Sequence, residues 1–352
     1  MKKSFMIYGA IGYSGRLVAE HAAIYGLQPI LAGREAATII ELANKLGLPY
    51  RIFSLDRIED IVHALTDVQL VLNTAGPFDD TVEPFLLACL QTKTHYLDFN
   101  GERKGFEVAQ RFDQSARSAG VMILPAVGFD VVPSDCLALY LQKQLPDATD
   151  LKLGFATFPE AAMSRGTALT TLGQLGWPGM SRREGALADE PIAKLGRLID
   201  FGVSKVFSVS VPWGDLLTAY HTTQIPNIQT YFAASRAIFY VMKFQFLFNW
   251  ILRMAWFKNF CRKWIVRNLI GPSRMQRMRS SSVVWGQVTN PSGESRQALI
   301  HCPEVYEVTY HAALLIAREV QAGNQKAGLQ TPAGVFGDSL ILSVPGTRRK
   351  DL

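Results

Sequence analysis

Three glycines, Gly9, Gly12 and Gly15, spaced GxxGxxG, stand where the apolar run "SFMIYGA" gives way to a helical pattern starting at Tyr13. A helix amino terminus presents unpaired N–H groups and a partial positive charge that suit a pyrophosphate, and glycines let backbone approach it without a Cβ in the way. With Ala10, Ile11, Tyr13 and Ser14, these residues form a candidate dinucleotide cradle. The alternative is a tight strand-to-helix turn that binds nothing. The next apolar run, "QPILAGR", ends in Gly33 and Arg34, where a turn built for NAD places Asp or Glu on the ribose 2′-OH. A guanidinium there suits a 2′-phosphate through paired hydrogen bonds, so NADPH is favoured over NADH, with Glu35 as a complication. Asp56 is placed either to contact the adenine or to cap a helix starting at Arg57. Asn73, Thr74, Ala75, Gly76 and Pro77 end a further apolar run and fall where the nicotinamide ribose would rest. Asp130 is the candidate proton donor, with helix capping as its alternative; Tyr96, Asp98 and Glu102, in "YLDFNGE", either shape a turn or touch substrate. Tyr220 and His221 are weaker candidates further along the chain. Ser, His and Asp occur in no arrangement that suggests a hydrolase.

The elements around these residues alternate. Short apolar runs ("SFMIYGA", "QPILAGR", "YRIFSLD", "VQLVLNTAG", "HYLDFN", "VMILPAVG") are separated by helical stretches, the last of them the long polar helix "ERKGFEVAQRFDQSARSAG". That rhythm predicts βαβ units and a doubly wound parallel sheet over residues 1–132. Beyond Pro133 the rhythm changes to strand-like "LKLGFATF" and "VFSVSVPW", then a strand pair, "SSVVWGQVTN" and "SRQALIHCP", joined by the turn "NPSGE". A helix, "VYEVTYHAALLIAREVQAG", and a closing segment follow. The expected division is a doubly wound domain at 1–132 and a second α+β domain at 133–325, with a closing segment at 326–352.

Four cysteines (Cys89, Cys136, Cys261 and Cys302) lie far apart without a CxxC pair, which argues against zinc and against a disulfide framework, and suggests a reducing compartment. After Lys2 and Lys3 the apolar run lasts only from Phe5 to Ile7, too short for a signal peptide. The expectation is a cytoplasmic protein. The formal charge of +6 is unevenly spread: from Leu216 to Gly293 there is no Asp or Glu but ten Lys and Arg. The remainder of the chain is net acidic, and the asymmetry points to an anionic partner for this one region. It contains "YFAASRAIFYVMKFQFLFNWILRMAWFKNFCRKWIVRNLIG", an aromatic and cationic lobe over about 231–270 whose longest uncharged run, Phe244 to Leu252, is nine residues. A spanning helix needs about 20 apolar residues, so the lobe does not span. Two helices are expected, with Lys258 and Arg262, and Lys263 and Arg267, spaced i, i+4 on the second. They are either interfacial at an anionic membrane or packed against protein. Nucleic acid is not expected, because no binding motif accompanies the charge.

The motifs "YGAIGYSGR", "LAGR", "NTAGPF", "HYLDFNGE" and "PAVGFDVVPSD", in that order, with "TPAGVFGD" near the end, resemble the saccharopine dehydrogenase-like oxidoreductases. The likeness is greatest to the branch of the mycobacterial trans-acting enoyl reductases and the lipid-droplet-associated members. It covers residues 1–140 closely and the remainder thinly, and Arg165 in "SRGTA" departs from the small residue expected there. The resemblance implies a Rossmann domain at 1–132, then a substrate and dimerisation domain with an open mixed sheet, with the last segment, 326–352, folding back onto the first domain. It also implies NAD(P)H-dependent reduction. The combined expectation is an NADPH-dependent reductase of a lipophilic or acyl-carrier-bound C=C or C=O, peripheral to a membrane and homodimeric by default. The alternatives are a saccharopine-type amino-acid reductase and a non-enzymatic nucleotide-binding scaffold at a membrane or lipid surface.

Overall fold

The computed structural model describes residues 4–159 and 163–352. They form two compact units. One runs to Val132 and takes in Val308–Val335; the other comprises Pro133–Glu307 and Phe336–Leu352.

In the first unit β1 (Ser4–Tyr8), β2 (Ile30–Gly33), β3 (Tyr50–Ile52), β4 (Val68–Asn73), β5 (His95–Asp98) and β6 (Met122–Leu124) alternate with α1 (Tyr13–His21), α2 (Ala36–Leu46), α3 (Ile58–Leu65), α4 (Phe78–Thr92), α5 (Arg103–Arg111) and α6 (Asp113–Ala119). All strands are parallel, and a short strand, Gly328–Leu329, adds to β6. The order is Gly328–Leu329, β6, β5, β4, β1, β2, β3. Strands buried on both faces need near-continuous apolar runs, and β2, β5 and β6 are buried at every residue. Ile61, Leu65, Phe85, Leu86 and Ala116 of α3, α4 and α6 pack on Met6, Val71, Tyr96 and Ile123 of the sheet. Strand order reverses between β1 and β4, the place where such sheets open a crevice at their carboxyl ends. The single polar helix expected before β6 is instead two, α5 and α6, because Phe112 (φ −89°, ψ −3°) ends one and starts the other.

The second unit contains α7 (Val132–Gln144), β7 (Asp150–Phe158), α8 (Arg165–Gln174), β8 (Gly179–Arg183), β9 (Ala186–Glu190), β10 (Gly196–Asp200), β11 (Lys205–Ser210), α9 (Asp215–Thr223) and β12 (Asn227–Ala233). The lobe follows as α10 (Arg236–Lys243), α11 (Asn249–Arg253), α12 (Ala255–Asn268) and α13 (Arg274–Arg279), then the hairpin β13 (Ser281–Thr289) and β14 (Ser295–Pro303). The sheet runs β10, β11, β12, β7, β13, β14 and the closing strand Arg348–Asp351, with β8 and β9 paired off β12. It is mixed: β12 and β7 are parallel and every other pair is antiparallel. Phe201, Tyr231, Val283, Trp285 and Leu299 form a core on it.

The division differs from the expected boundaries after residue 307. The helix Val305–Gln321 belongs to the first unit from Val308 onward, since Ala312, Ala313, Ile316, Ala317 and Val320 are completely buried. Gln69 Nε2 donates to Val320 O at 3.3 Å, and His21 stacks on Tyr310 at 4.1 Å. Of the closing segment, the part as far as Val335 lies in the unit of the parallel sheet. Arg348–Asp351 pairs antiparallel with β14 in the other unit.

Candidate functional site

The β1–α1 turn is shaped by the neighbouring strand. Gly9 has φ +82°, and a Cβ on it would lie 2.9 Å from Ala75 N and from Thr74 Oγ1. A Cβ on Gly15 would lie 2.5 Å from Gly9 O and Thr74 Oγ1. The crowding has a cause: Thr74, just past β4, turns its hydroxyl onto the backbone of β1, with Tyr8 O at 2.9 Å and Gly9 O at 3.1 Å as acceptors. Two of the three glycines are therefore required by how β4 meets β1. Gly12 differs. It is exposed and sits at the amino-terminal cap of α1 in extended conformation, with no side chain capping the helix. Ala10 is buried, while Ile11, Tyr13 and Ser14 are half-buried around it.

Gly33 ends β2, packed on Ile39, and Arg34 follows it, exposed and without an ion pair among the described residues. The Tyr8 hydroxyl, at the end of β1, is pushed up to about 12 by burial; the Arg34 charge pulls it down and the Asp56 charge pulls it up. Both charges thus converge on one strand end. Glu35 occupies the amino-terminal cap of α2 but its side chain does not cap it. Asp56 is exposed in the loop beyond β3. α3 starts at Ile58, with Arg57 as its cap residue and no side-chain cap, so capping is not the role of Asp56. Beside Asp56 a cavity of about 360 Å³ opens between this loop and α4, with Asp79, Asp80 and Glu83 on its walls.

Asn73 to Pro77 form the loop after β4, fastened from both sides. Asn73 Oδ1 accepts from Ala75 N at 3.0 Å, and its Nδ2 donates to Thr81 Oγ1 at 2.9 Å and to Tyr96 Oη at 3.1 Å. Tyr96 donates in turn to Asp98 Oδ2 at 2.9 Å, while Asp98 Oδ1 accepts from Asn100 N at 2.8 Å and Ala126 N at 2.9 Å. Burial raises the Asp98 carboxyl to about 6, against the lowering pull of those hydrogen bonds, and raises the Tyr96 hydroxyl as well. Asp98 and Tyr96 are completely buried, so they shape the strand ends. Glu102 accepts from Asp79 N at 3.4 Å and ties the β5 loop to the first turn of α4. Ala126, held by Asp98, has φ +59°, a left-handed conformation that costs an alanine about 1 kcal/mol. This buried chain from β4 to β6 was missed in the sequence, although the polar residues ending two consecutive apolar strands, Asn73 and Asp98, were its signal.

Asp130 follows β6. It is exposed, yet the protein crowded around its remaining sides raises its carboxyl to about 6 by desolvation. Its Oδ2 would sit 3.4 Å from a Cβ on Gly101. Preceding it, Phe129 N donates to Thr309 Oγ1 at 3.2 Å, and Gly128 is packed against Thr309 and Phe99. The glycine turn, Arg34, Asp56, Asn73 to Pro77 and Asp130 thus all lie at the carboxyl ends of one parallel sheet. Tyr220 and His221 are on α9 of the second unit, where Tyr220 lies 4.0 Å beneath Arg182. Arg165 opens α8 and donates from Nε to Leu269 O at 3.2 Å. Among the described residues no cluster of His, Cys, Asp and Glu could hold a metal ion.

No family model matches the chain. Over 181 residues it is 29% identical to the trans-acting enoyl reductase of Mycobacterium tuberculosis, covering 47% of this chain and 43% of that one. Over 160 residues it is 26% identical to the saccharopine dehydrogenase-like oxidoreductase of Bos taurus, covering 40% and 37%. The similarity is to the saccharopine dehydrogenase-like oxidoreductases. Each match takes in less than half the length of the relative. Among solved structures, the apo saccharopine dehydrogenase (L-Glu forming) of Saccharomyces cerevisiae aligns with a TM-score of 0.67 over 99% of this chain and 100% of that one. At 11% identity that likeness establishes the fold: a Rossmann-like parallel sheet with a second, mixed sheet.

Proposed function

We infer that this chain is an NADPH-dependent oxidoreductase that reduces a C=C or C=O bond of a lipophilic or carrier-bound substrate. The observation that carries the cofactor is the uncapped start of α1 at Gly12, with Arg34 exposed at the end of the adjacent β2. The helix N–H groups would hold the pyrophosphate and the Arg34 guanidinium the 2′-phosphate. The acidic cavity beside Asp56 would repel a phosphate but suits the amino edge of a base. Asn73 to Pro77, fixed by Thr74, Thr81 and Tyr96, would present a rigid backbone to the nicotinamide ribose. When bound, the nicotinamide supplies the hydride. Asp130 is the residue assigned to hand over the accompanying proton. The reductase names of the curated relatives support the reaction class.

With its carboxyl raised to about 6, Asp130 holds its proton at low pH and loses it as the pH rises through that value. Turnover should therefore fall over the same window, and Asp130→Asn should lower kcat about a hundredfold and remove that pH limb. Incubation with NADPH and a lipid extract, followed by NADPH absorbance and product mass, tests the reading as a whole. Binding of NADPH without oxidation of it by any fraction would favour the non-enzymatic scaffold.

A further inference from the structure

The lobe is held to the second unit along one face and leaves the opposite face bare. Ile265 and Cys261 of α12 pack with Ala168 and Leu172 of α8. Lys258 Nζ donates to Gly173 O at 3.1 Å and Arg253 Nε to Gly176 O at 2.8 Å, so these two cations serve the end of α8. Helical spacing places Trp256, Phe260 and Trp264 on the side away from Ile265, and they are 63%, 65% and 55% exposed. Lys263 and Arg267 share that side, exposed and without ion pairs among the described residues. α10 repeats the arrangement: Phe239 and Met242 pack on Val209 and Ala234, while Tyr240, Val241 and Phe244 face solvent. Neither α10 nor α11 contains a buried residue.

A helix in water turns its apolar stripe toward the core, and here anchored helices turn a second one outward. An isologous contact with another copy would set this face on itself, bringing like charges together with no acid between Leu216 and Gly293 to pair them. An acidic protein would satisfy the cations but leave the tryptophans unexplained. No helix of the described residues is long and apolar enough to cross a membrane. We propose that the outer face of α10 to α12 docks on an anionic membrane surface. Trp256, Phe260 and Trp264 enter the headgroup–acyl boundary, and Lys263 and Arg267 meet anionic headgroups. This reading rests on the lobe alone, independently of the reaction.

The test is flotation of the full chain with vesicles of phosphatidylcholine, or of phosphatidylcholine mixed with phosphatidylserine. Partitioning should rise at least about tenfold with phosphatidylserine, and Lys263→Glu with Arg267→Glu should remove that gain, each lost cation being worth about fivefold. Replacing Trp256, Phe260 and Trp264 by Ser should abolish flotation while leaving the circular dichroism spectrum unchanged. Absence of flotation by the unaltered chain would overturn the proposal. So would flotation that survives the Ser variant, or a concentration-dependent dimer that the Ser variant disperses. NADPH titration of the same preparations separates failure of the membrane reading from failure of the cofactor reading.

Discussion

The carboxyl ends of the parallel sheet and the aromatic lobe are opposite solutions to exposing a chemical surface. At the strand ends almost every position is fixed by something buried behind it: Thr74 on the β1 backbone, Asn73 on Tyr96, Tyr96 on Asp98, Asp98 on Ala126. The start of α1 and the loop residues Arg34, Asp56, Gly76, Pro77 and Asp130 reach outward. In the lobe little lies behind the surface, and the largest side chains themselves face out. A site that must position a reacting group gains from a rigid backing. A surface that meets a fluid partner needs area and charge, with little demand on backbone precision.

That contrast can be broken by substitution. The largest effect is expected from Gly15→Ala, whose Cβ would sit 2.5 Å from Gly9 O and Thr74 Oγ1. It should cost at least about 3 kcal/mol in denaturant unfolding and abolish NADPH binding. Next is Asp98. Its folded carboxyl is raised from 3.8 to about 6, so the folded state holds the proton more tightly than the unfolded one. The associated stability is complete below about pH 3.8 and is lost as pH rises through about 6, a change of about 2 to 3 kcal/mol. Asp98→Asn should flatten that slope, at a cost of about 1 kcal/mol at low pH where the Tyr96 hydroxyl loses its acceptor. Unfolding curves on either side of the window would measure both.

Arg34→Ala should weaken NADPH binding about thirtyfold, leave NADH binding nearly unchanged and leave stability alone, because the side chain is exposed. Equal titrations of the variant with both cofactors would confirm the contact; an intact preference would remove NADPH from the reading. The smallest effect belongs to the lobe: Trp256→Ser should change stability in water by no more than about 0.5 kcal/mol. A loss of several times that would mean the tryptophan is covered by protein, and the contrast drawn above would fail.

The parallel sheet was legible because its signals are local. Glycine spacing, strand-length apolar runs and intervening helical patterns all fall within short windows, and "LAGR" and "NTAGPF" could be placed at strand ends for that reason. The capping alternative for Asp56 and the continuous helix before β6 failed on details of one or two residues: α3 starts at Ile58, and Phe112 interrupts the helix. Of the third segment only residues 336–352 fall in the second unit, because strand pairing at Arg348–Asp351 is decided by β14, far back in the chain.

By itself the sequence determined that a glycine turn follows the first strand, that Arg34 stands where an acid would serve NAD, and that an acid-free, aromatic region exists. These depend on residue type and near-neighbour spacing. Only the tertiary structure decided why Gly9 and Gly15 must be glycine, since the crowding atom belongs to Thr74, 65 residues from Gly9. It alone decided that Asp98 is buried and raised, and that Trp256, Phe260 and Trp264 face outward while Ile265 faces in. Burial and close approach are properties of what packs alongside, and no window of the chain contains its own neighbours in space.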